Sequence, residues 1–223
     1  MTLKLFLDTA NLEQIRRLNQ MGVVDGVTTN PTLIAKEPGE FEETIVAICK
    51  EVRGDVSAEV VSTSFDGMLV EAKRLSALAQ NVVVKIPMIP EGLRATRAVS
   101  EMGIRVNVTL IFSANQGLLA AKAGASFVSP FIGRLDDIGQ RGMDVVEDLT
   151  KIKGNYNLGF EVLVGSIRHP QHVLDAAKAG ADIATIPPEV MDKMMQHPLT
   201  DSGLKKFLED WQKAKKAKPP ITV

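Results

Sequence analysis

Val82-Val83-Val84-Lys85-Ile86-Pro87 is a β-branched apolar run interrupted by one lysine, and it reads as a fully buried strand. A helical pattern follows from Leu93 to Met102, and then a second β-rich run from Arg105 to Ile111. The same alternation extends to both ends of the chain. Towards the N-terminus the strand candidates are Leu3 to Asp8, Gly26 to Thr29 and Val56 to Val61. Towards the C-terminus they are Ser126 to Pro130, Phe160 to Gly165 and Asp182 to Ile186. Between and after them lie helical patterns over 11–21, 41–52, 65–79, 114–123, 143–153, 170–179 and 188–196.

Strands alternating with helices imply a parallel sheet with right-handed crossovers. Eight such units in 223 residues predict an α/β fold, a single (β/α)8 TIM barrel domain over 1–223, with a doubly wound open sheet as the runner-up. Gly22, Gly103, Gly124 and Gly180 stand where helices need a left-handed residue to end, and Pro90, Pro170 and Pro188 stand near helix starts. An additional C-terminal helix is expected within 200–218, read from Leu204 to Lys218. It carries Phe207, Leu208 and Trp211 on one face and Lys213, Lys215, Lys216 and Lys218 at its end. Such a helix packs on its own barrel or on a neighbouring subunit.

Composition narrows the function classes. With 45% hydrophobic and 24% charged residues and a formal net charge of -1, the chain reads as an ordinary soluble globular protein. No basic surplus and only 4% aromatics argue against a nucleic-acid partner. No apolar stretch approaches the ~20 residues of a membrane span, and Leu3 to Leu7 is too short for a signal-peptide core, so a cytoplasmic location is expected. The single Cys49 falls in an amphipathic stretch and reads as a buried, inert thiol.

A lysine inside an apolar strand needs a reason. Burial disfavours the ammonium and makes the amine a usable nucleophile towards carbonyl compounds, so Lys85 is a candidate Schiff-base residue. The plainer reading ends the strand at Lys85 and lets its ammonium reach solvent. In a barrel the active site lies where strands end and βα loops begin. Those ends carry Asp8, Thr29 with Asn30, Glu59, Lys85, Asn107 with Thr109, Ser129 with Phe131, and Ser166 with Arg168. Residues two apart share a face, so Asn107 and Thr109 project together, as do Ser129 and Phe131. Arg134, Ser166 and Arg168 suit an anionic group.

Each has a plain alternative: Asp8 as an N-cap, Asn30-Pro31 as a turn, the arginines as surface charges. Their clustering at one end of successive strands favours chemistry. His169 and His172 are separated by a helix-starting proline and lack further ligands at metal spacing, so neither a metal nor another cofactor is expected.

These residues resemble the short, single-domain transaldolases, from Phe6-Leu7-Asp8-Thr9-Ala10 to Leu208-Glu209-Asp210-Trp211. The specific motifs are Gly26-Val27-Thr28-Thr29-Asn30-Pro31-Thr32, Val84-Lys85-Ile86-Pro87, Asn107-Val108-Thr109-Leu110-Ile111-Phe112 and Ser129-Pro130-Phe131-Ile132-Gly133-Arg134. The resemblance implies transfer of a dihydroxyacetone unit between sugar phosphates of the pentose phosphate pathway. It makes Lys85 the Schiff-base residue, Asp8 the acid/base at the C4 hydroxyl, and Glu59 a proton carrier through a water held with Thr109. Thr29, Asn30, Asn107, Ser129 and Phe131 would hold the substrate, and Arg134, Ser166 and Arg168 its phosphate.

The resemblance also implies a homo-oligomer, a pentamer or decamer. The related fructose 6-phosphate aldolases, which use free dihydroxyacetone, are the nearest alternative; Glu59 and Phe131 stand where that branch has glutamine and tyrosine. A non-catalytic phosphosugar-binding barrel is the alternative from a different class. Ile89-Pro90 departs from the family's usual Ser or Thr cap after the lysine strand.

Overall fold

Strand side chains alternate between two sides, so a strand covered on both faces supplies residues to two cores. The computed structural model, which describes residues 2–217, separates them. Val82, Val84 and Ile86 belong to a large apolar layer shared with helix residues such as Ile45, Met68, Val99 and Leu149. Val83 instead joins Phe6, Phe127, Leu163 and Ile183 in a small inner core. Only a closed barrel with helices outside gives that division, and Lys85 is two residues from Val83, on the inner face.

The chain begins with β1 (Lys4–Asp8), α1 (Leu12–Asn19), β2 (Gly26–Thr28), α2 (Pro31–Ile34), α3 (Phe41–Glu51) and β3 (Asp55–Glu59). It continues through α4 (Phe65–Ser76), β4 (Val82–Pro87), α5 (Pro90–Glu101), β5 (Val106–Ile111), α6 (Ala114–Lys122) and β6 (Phe127–Pro130). The remainder is α7 (Ile132–Asp137), α8 (Met143–Tyr156), β7 (Glu161–Val164), α9 (Pro170–Lys178), β8 (Ile183–Ile186), α10 (Pro188–Met195) and α11 (Pro198–Ala217). The strands close in sequence order, and β1 pairs in parallel with both β2 and β8. This is a TIM barrel; the open doubly wound sheet is excluded by the β1–β8 pairing.

The inner face is layered. Near the strand starts, Lys4 pairs with Glu161 at 2.8 Å and Arg105 with Asp55 at 2.6 Å. Above them lies the inner apolar core, where Phe6 meets Phe127 edge to face at 6.5 Å. A Cβ on Gly26 would stand 2.6 Å from the Phe6 ring, so a residue without a side chain makes room for that ring. Above the core come the polar strand ends.

The expected punctuation is present: Gly22, Gly103, Gly124 and Gly180 have φ of 71, 77, 97 and 76°. Pro90, Pro170 and Pro188 sit in the first turns of α5, α9 and α10, so α5 starts at Pro90, ahead of the expected Leu93. Ile89 precedes α5 without a side-chain cap.

Other limits shift for local reasons. α8 runs past the expected Lys153 to Tyr156 and stops at Asn157, whose φ of 49° is left-handed. The short helices α2 and α7 lie in βα loops where the sequence reading has only turns, being too brief to show a period. β5 is irregular: its register with β6 shifts between Val108 and Ile111, and Leu110 has φ 60°.

α11 begins at Pro198, earlier than the expected Leu204, and the expected Lys218 lies outside the described residues. Its apolar side does not pack on its own barrel: Phe207 is 73% exposed and Trp211 62%. Cys49 is buried, and burial pushes its thiol up to about 11, in keeping with an inert residue. Among the described residues no helix is long and apolar enough to cross a membrane.

Candidate active site

Lys85 is 4% exposed, so its ammonium does not reach solvent. Its Nζ lies 3.0 Å from Glu59 Oε2, with which it forms an ion pair, and donates to the Thr29 carbonyl at 3.1 Å. The β3–β4 register explains the pair, because Glu59 and Lys85 are direct partners across the sheet. A lone charge here would be heavily penalised, whereas a pair with a further hydrogen bond is tolerated.

Asp8 ends β1 on the same inner face. It is not an N-cap, since Asn11 caps α1 by accepting the Gln14 N–H. Instead its Oδ1 accepts the Thr28 hydroxyl at 2.9 Å, and Thr28 Oγ1 lies 2.6 Å from Thr185 Oγ1. Burial raises the Asp8 carboxyl above its ordinary range, with smaller upward pushes from Glu189 and Glu59. Lys85 and the Thr28 hydrogen bond act the other way.

The strand ends enclose a cavity of about 190 Å³ whose wall includes Asp8, Thr28, Asn30, Lys85, Asn107 and Ser129. Phe131, Arg134, Ser166 and Arg168 line it as well. An adjoining opening of about 380 Å³ shares Asp8, Lys85 and Phe131 and adds Glu59 and Leu110. Asn107 Nδ2 donates to Ser57 Oγ at 3.1 Å. Among the described residues, the buried Asn107 Oδ1 and Thr109 Oγ1 have no hydrogen-bond partner.

Arg134 lies 5.2 Å from the Phe131 ring centroid, a cation–π contact. Arg168 donates through Nη2 to Asp137 at 2.9 Å. Ser166 has φ 60°, a left-handed backbone that costs a non-glycine residue about 1–3 kcal/mol, and the Gly133 N–H holds its carbonyl at 3.1 Å. A Cβ on Gly133 would stand 2.2 Å from that carbonyl, so glycine permits α7 to close over the loop.

The profile of a family described as transaldolase/fructose-6-phosphate aldolase matches residues 5–218. The chain belongs to this family. A probable transaldolase from Nitrosopumilus maritimus is 58% identical over 222 residues, 99% of this chain and all of that protein. One from Methanococcus maripaludis is 59% identical over 210 residues, 94% of this chain and 98% of its relative. A thiamine phosphate pyrophosphorylase from Pyrococcus furiosus superposes with a TM-score of 0.58 at 13% identity, covering 86% of this chain and 93% of that one. That last likeness concerns the fold alone. The relatives support a transaldolase-type enzyme.

Within this family frame, most of the expected residues converge. Asp8, Asn30, Lys85, Asn107, Ser129, Phe131, Arg134, Ser166 and Arg168 share one cavity, and Glu59 reaches it through its bond to Lys85. Asn30 is also the N-cap of α2, accepting the Leu33 N–H at 2.9 Å, so the turn reading and the cavity position are both realised. Thr29 is placed differently: its hydroxyl is spent on the Ser57 carbonyl at 2.8 Å, and its own carbonyl meets Lys85. Thr28 and Thr185, which also line the cavity, and Ser57, which accepts from Asn107, are absent from the sequence reading. The register Asp8 to Thr28 and the period-two step from Gly26 were signals for the first of them.

Proposed function

We propose that the protein is a transaldolase acting through a Schiff base on Lys85. It would take a dihydroxyacetone unit from sedoheptulose 7-phosphate or fructose 6-phosphate and give it to glyceraldehyde 3-phosphate or erythrose 4-phosphate, in the pentose phosphate pathway. The observation that carries this reading is the enclosed Lys85 amine, 3.0 Å from Glu59, in the same cavity wall as Asp8.

The unprotonated amine adds to the ketone C2, and loss of water from the carbinolamine leaves an iminium. Glu59 moves the protons of these steps through a water shared with Thr109, whose buried hydroxyl has no partner among the described residues. The iminium draws the C3–C4 bonding electrons towards nitrogen as Asp8 removes the C4 hydroxyl proton. The aldose phosphate leaves, and the three-carbon enamine stays on Lys85. Addition to the second aldehyde reverses the sequence, with Asp8 returning a proton to the new alkoxide. A carboxyl raised by burial is a stronger base once ionised, which suits that step.

Asn30, Asn107, Ser129 and Phe131 fix the donor's orientation, and Thr29 acts through its carbonyl on Lys85. Arg134, Ser166 and Arg168 bind phosphate, Arg168 having donors left beyond the Nη2 bond to Asp137.

The test is fructose 6-phosphate turnover with and without erythrose 4-phosphate. Sedoheptulose 7-phosphate should form only with the acceptor present. Free dihydroxyacetone released at a similar rate without it would instead favour a fructose 6-phosphate aldolase. Arg168→Ala should raise KM for phosphorylated acceptors about tenfold or more while Schiff-base formation survives. Unchanged KM would remove Arg168 from the site.

The exposed side of α11, with Leu204, Phe207, Leu208 and Trp211, is further proposed to cover a neighbouring copy in a pentameric or decameric assembly of a cytoplasmic enzyme. Light scattering of the full chain should give such a mass, and Phe207→Ser with Trp211→Ser should lower it. A monomer in the unsubstituted protein would refute the assembly.

A further inference from the structure

His172 is buried in the first turn of α9, outside the cavity that holds Lys85, and has no part in the reaction described above. Its ring makes two directional contacts. Nδ1 accepts the Arg168 backbone N–H at 3.2 Å, and Nε2 lies 3.1 Å from Asp136 Oδ2 on α7. An acceptor at Nδ1 requires the tautomer with its proton on Nε2, and that N–H stands beside the Asp136 carboxylate. The other Asp136 oxygen, Oδ1, accepts the Gly142 N–H at 2.9 Å, which fixes the carboxylate itself.

The Gly165–Arg168 segment is therefore held from two sides. α7 grips it through the Ile132 N–H to the Gly165 carbonyl and the Gly133 N–H to the Ser166 carbonyl, each at 3.1 Å. α9 grips it through His172, and Asp136 ties the two grips together. We infer that His172, aligned by Asp136, is a positioning residue that sets the Ser166–Arg168 strip in its anion-binding geometry. This rests on the proposed assignment of Ser166 and Arg168 to the phosphate.

The arrangement works only with neutral imidazole. A proton at Nδ1 would face the Arg168 N–H with another N–H, removing its acceptor. Burial, and then the neighbouring His169, hold His172 below its ordinary value near 6.5, with Asp136 and Asp175 opposing. The strip is thus set at neutral pH and loosens as pH falls through that lowered value. The charged groups around the ring are Asp136 and Asp137 from α7, Arg141 ahead of α8, Arg168 and His169 ahead of α9, and Asp175 on α9. A new positive charge there would by itself tighten anion binding, so the direction of the pH effect separates geometry from charge.

Sulfate is a suitable probe, because its own charge is constant across this range and its binding needs no turnover. Calorimetric titration of the full chain should show His172→Phe binding sulfate roughly tenfold more weakly than the unsubstituted protein at about pH 7.5. His172→Asn, whose Oδ1 replaces the Nδ1 acceptor and does not titrate, should restore binding at that pH. As pH is lowered stepwise below 6.5, the unsubstituted protein should weaken and His172→Asn should not. If His172→Phe does not fold, the pH series on His172→Asn carries the same test. Equal binding by His172→Phe, tighter binding by the unsubstituted protein in acid, or parallel weakening of His172→Asn would overturn the inference. Arg168→Ala should lose sulfate binding, which checks the shared premise apart from any assay of transfer.

Discussion

Lys85→Ala is expected to lower kcat/KM by about 10⁴-fold or more, because it removes both the nucleophile and the nitrogen that accepts the C3–C4 electrons. No neighbour replaces it: Glu59 and Asp8 are carboxyl groups, and Arg134, which also lines the cavity, carries a guanidinium that stays protonated. The substitution also leaves the half-buried Glu59 without its ion-pair partner, which costs stability. Lys85→Met keeps the side-chain length and apolar stem, so comparing the two by circular dichroism and steady-state kinetics separates lost chemistry from lost folding. Both should be inactive and folded. Residual activity within tenfold of the unsubstituted enzyme would exclude Lys85 as the covalent residue.

Asp8→Asn should lower kcat by about 10²–10⁴-fold, the usual range for losing a general acid/base, while raising thermal stability. The second effect follows from the sign of the Asp8 shift. Its folded value is raised by burial, so the folded chain binds more protons than the unfolded one between the ordinary value near 3.8 and the folded value. Stability from this group is then greatest in acid and is lost as pH rises through the folded value, so above that value the ionised Asp8 is a liability. Asparagine is never ionised, keeps an acceptor for the Thr28 hydroxyl, and should lift Tm by a few degrees, the scale on which about 1 kcal/mol moves a chain of this length. The stability gain should shrink as pH falls from the folded value towards 3.8 and vanish below it, where Asp8 is protonated in both states. A variant with lower Tm at neutral pH would contradict the assignment of Asp8 as a desolvated carboxylate.

Lys85 and its surroundings were legible because a strand's period of two is strict. Val83 inside means Lys85 inside, and Phe127 inside means Ser129 inside. The same strictness explains Thr29. The inner phase of β2 is Gly26 and Thr28, so the next residue turns its hydroxyl to the neighbouring backbone instead of the cavity. Thr28 and Thr185 escaped notice because threonine is an ordinary strand residue; only their position beside Asp8, set by closure of β1 onto β8, makes them part of the site. The contact of Arg168 with Asp137 joins residues 31 apart in the chain, and no local spacing encodes it. The exposed face of α11 shows a different limit. Its amphipathic pattern was plain in Phe207, Leu208 and Trp211, but pattern alone does not say which surface receives it.

Lys85 is proposed to form an imine with a ketose phosphate. The most direct measurement is borohydride reduction of the full chain in the presence of fructose 6-phosphate, followed by peptide mass mapping. Reduction should fix a dihydroxyacetone-derived or ketose-derived mass on the peptide containing Lys85 and nowhere else, and Lys85→Met should carry no added mass. An unchanged mass in the unsubstituted protein, or an adduct on another lysine, would contradict it.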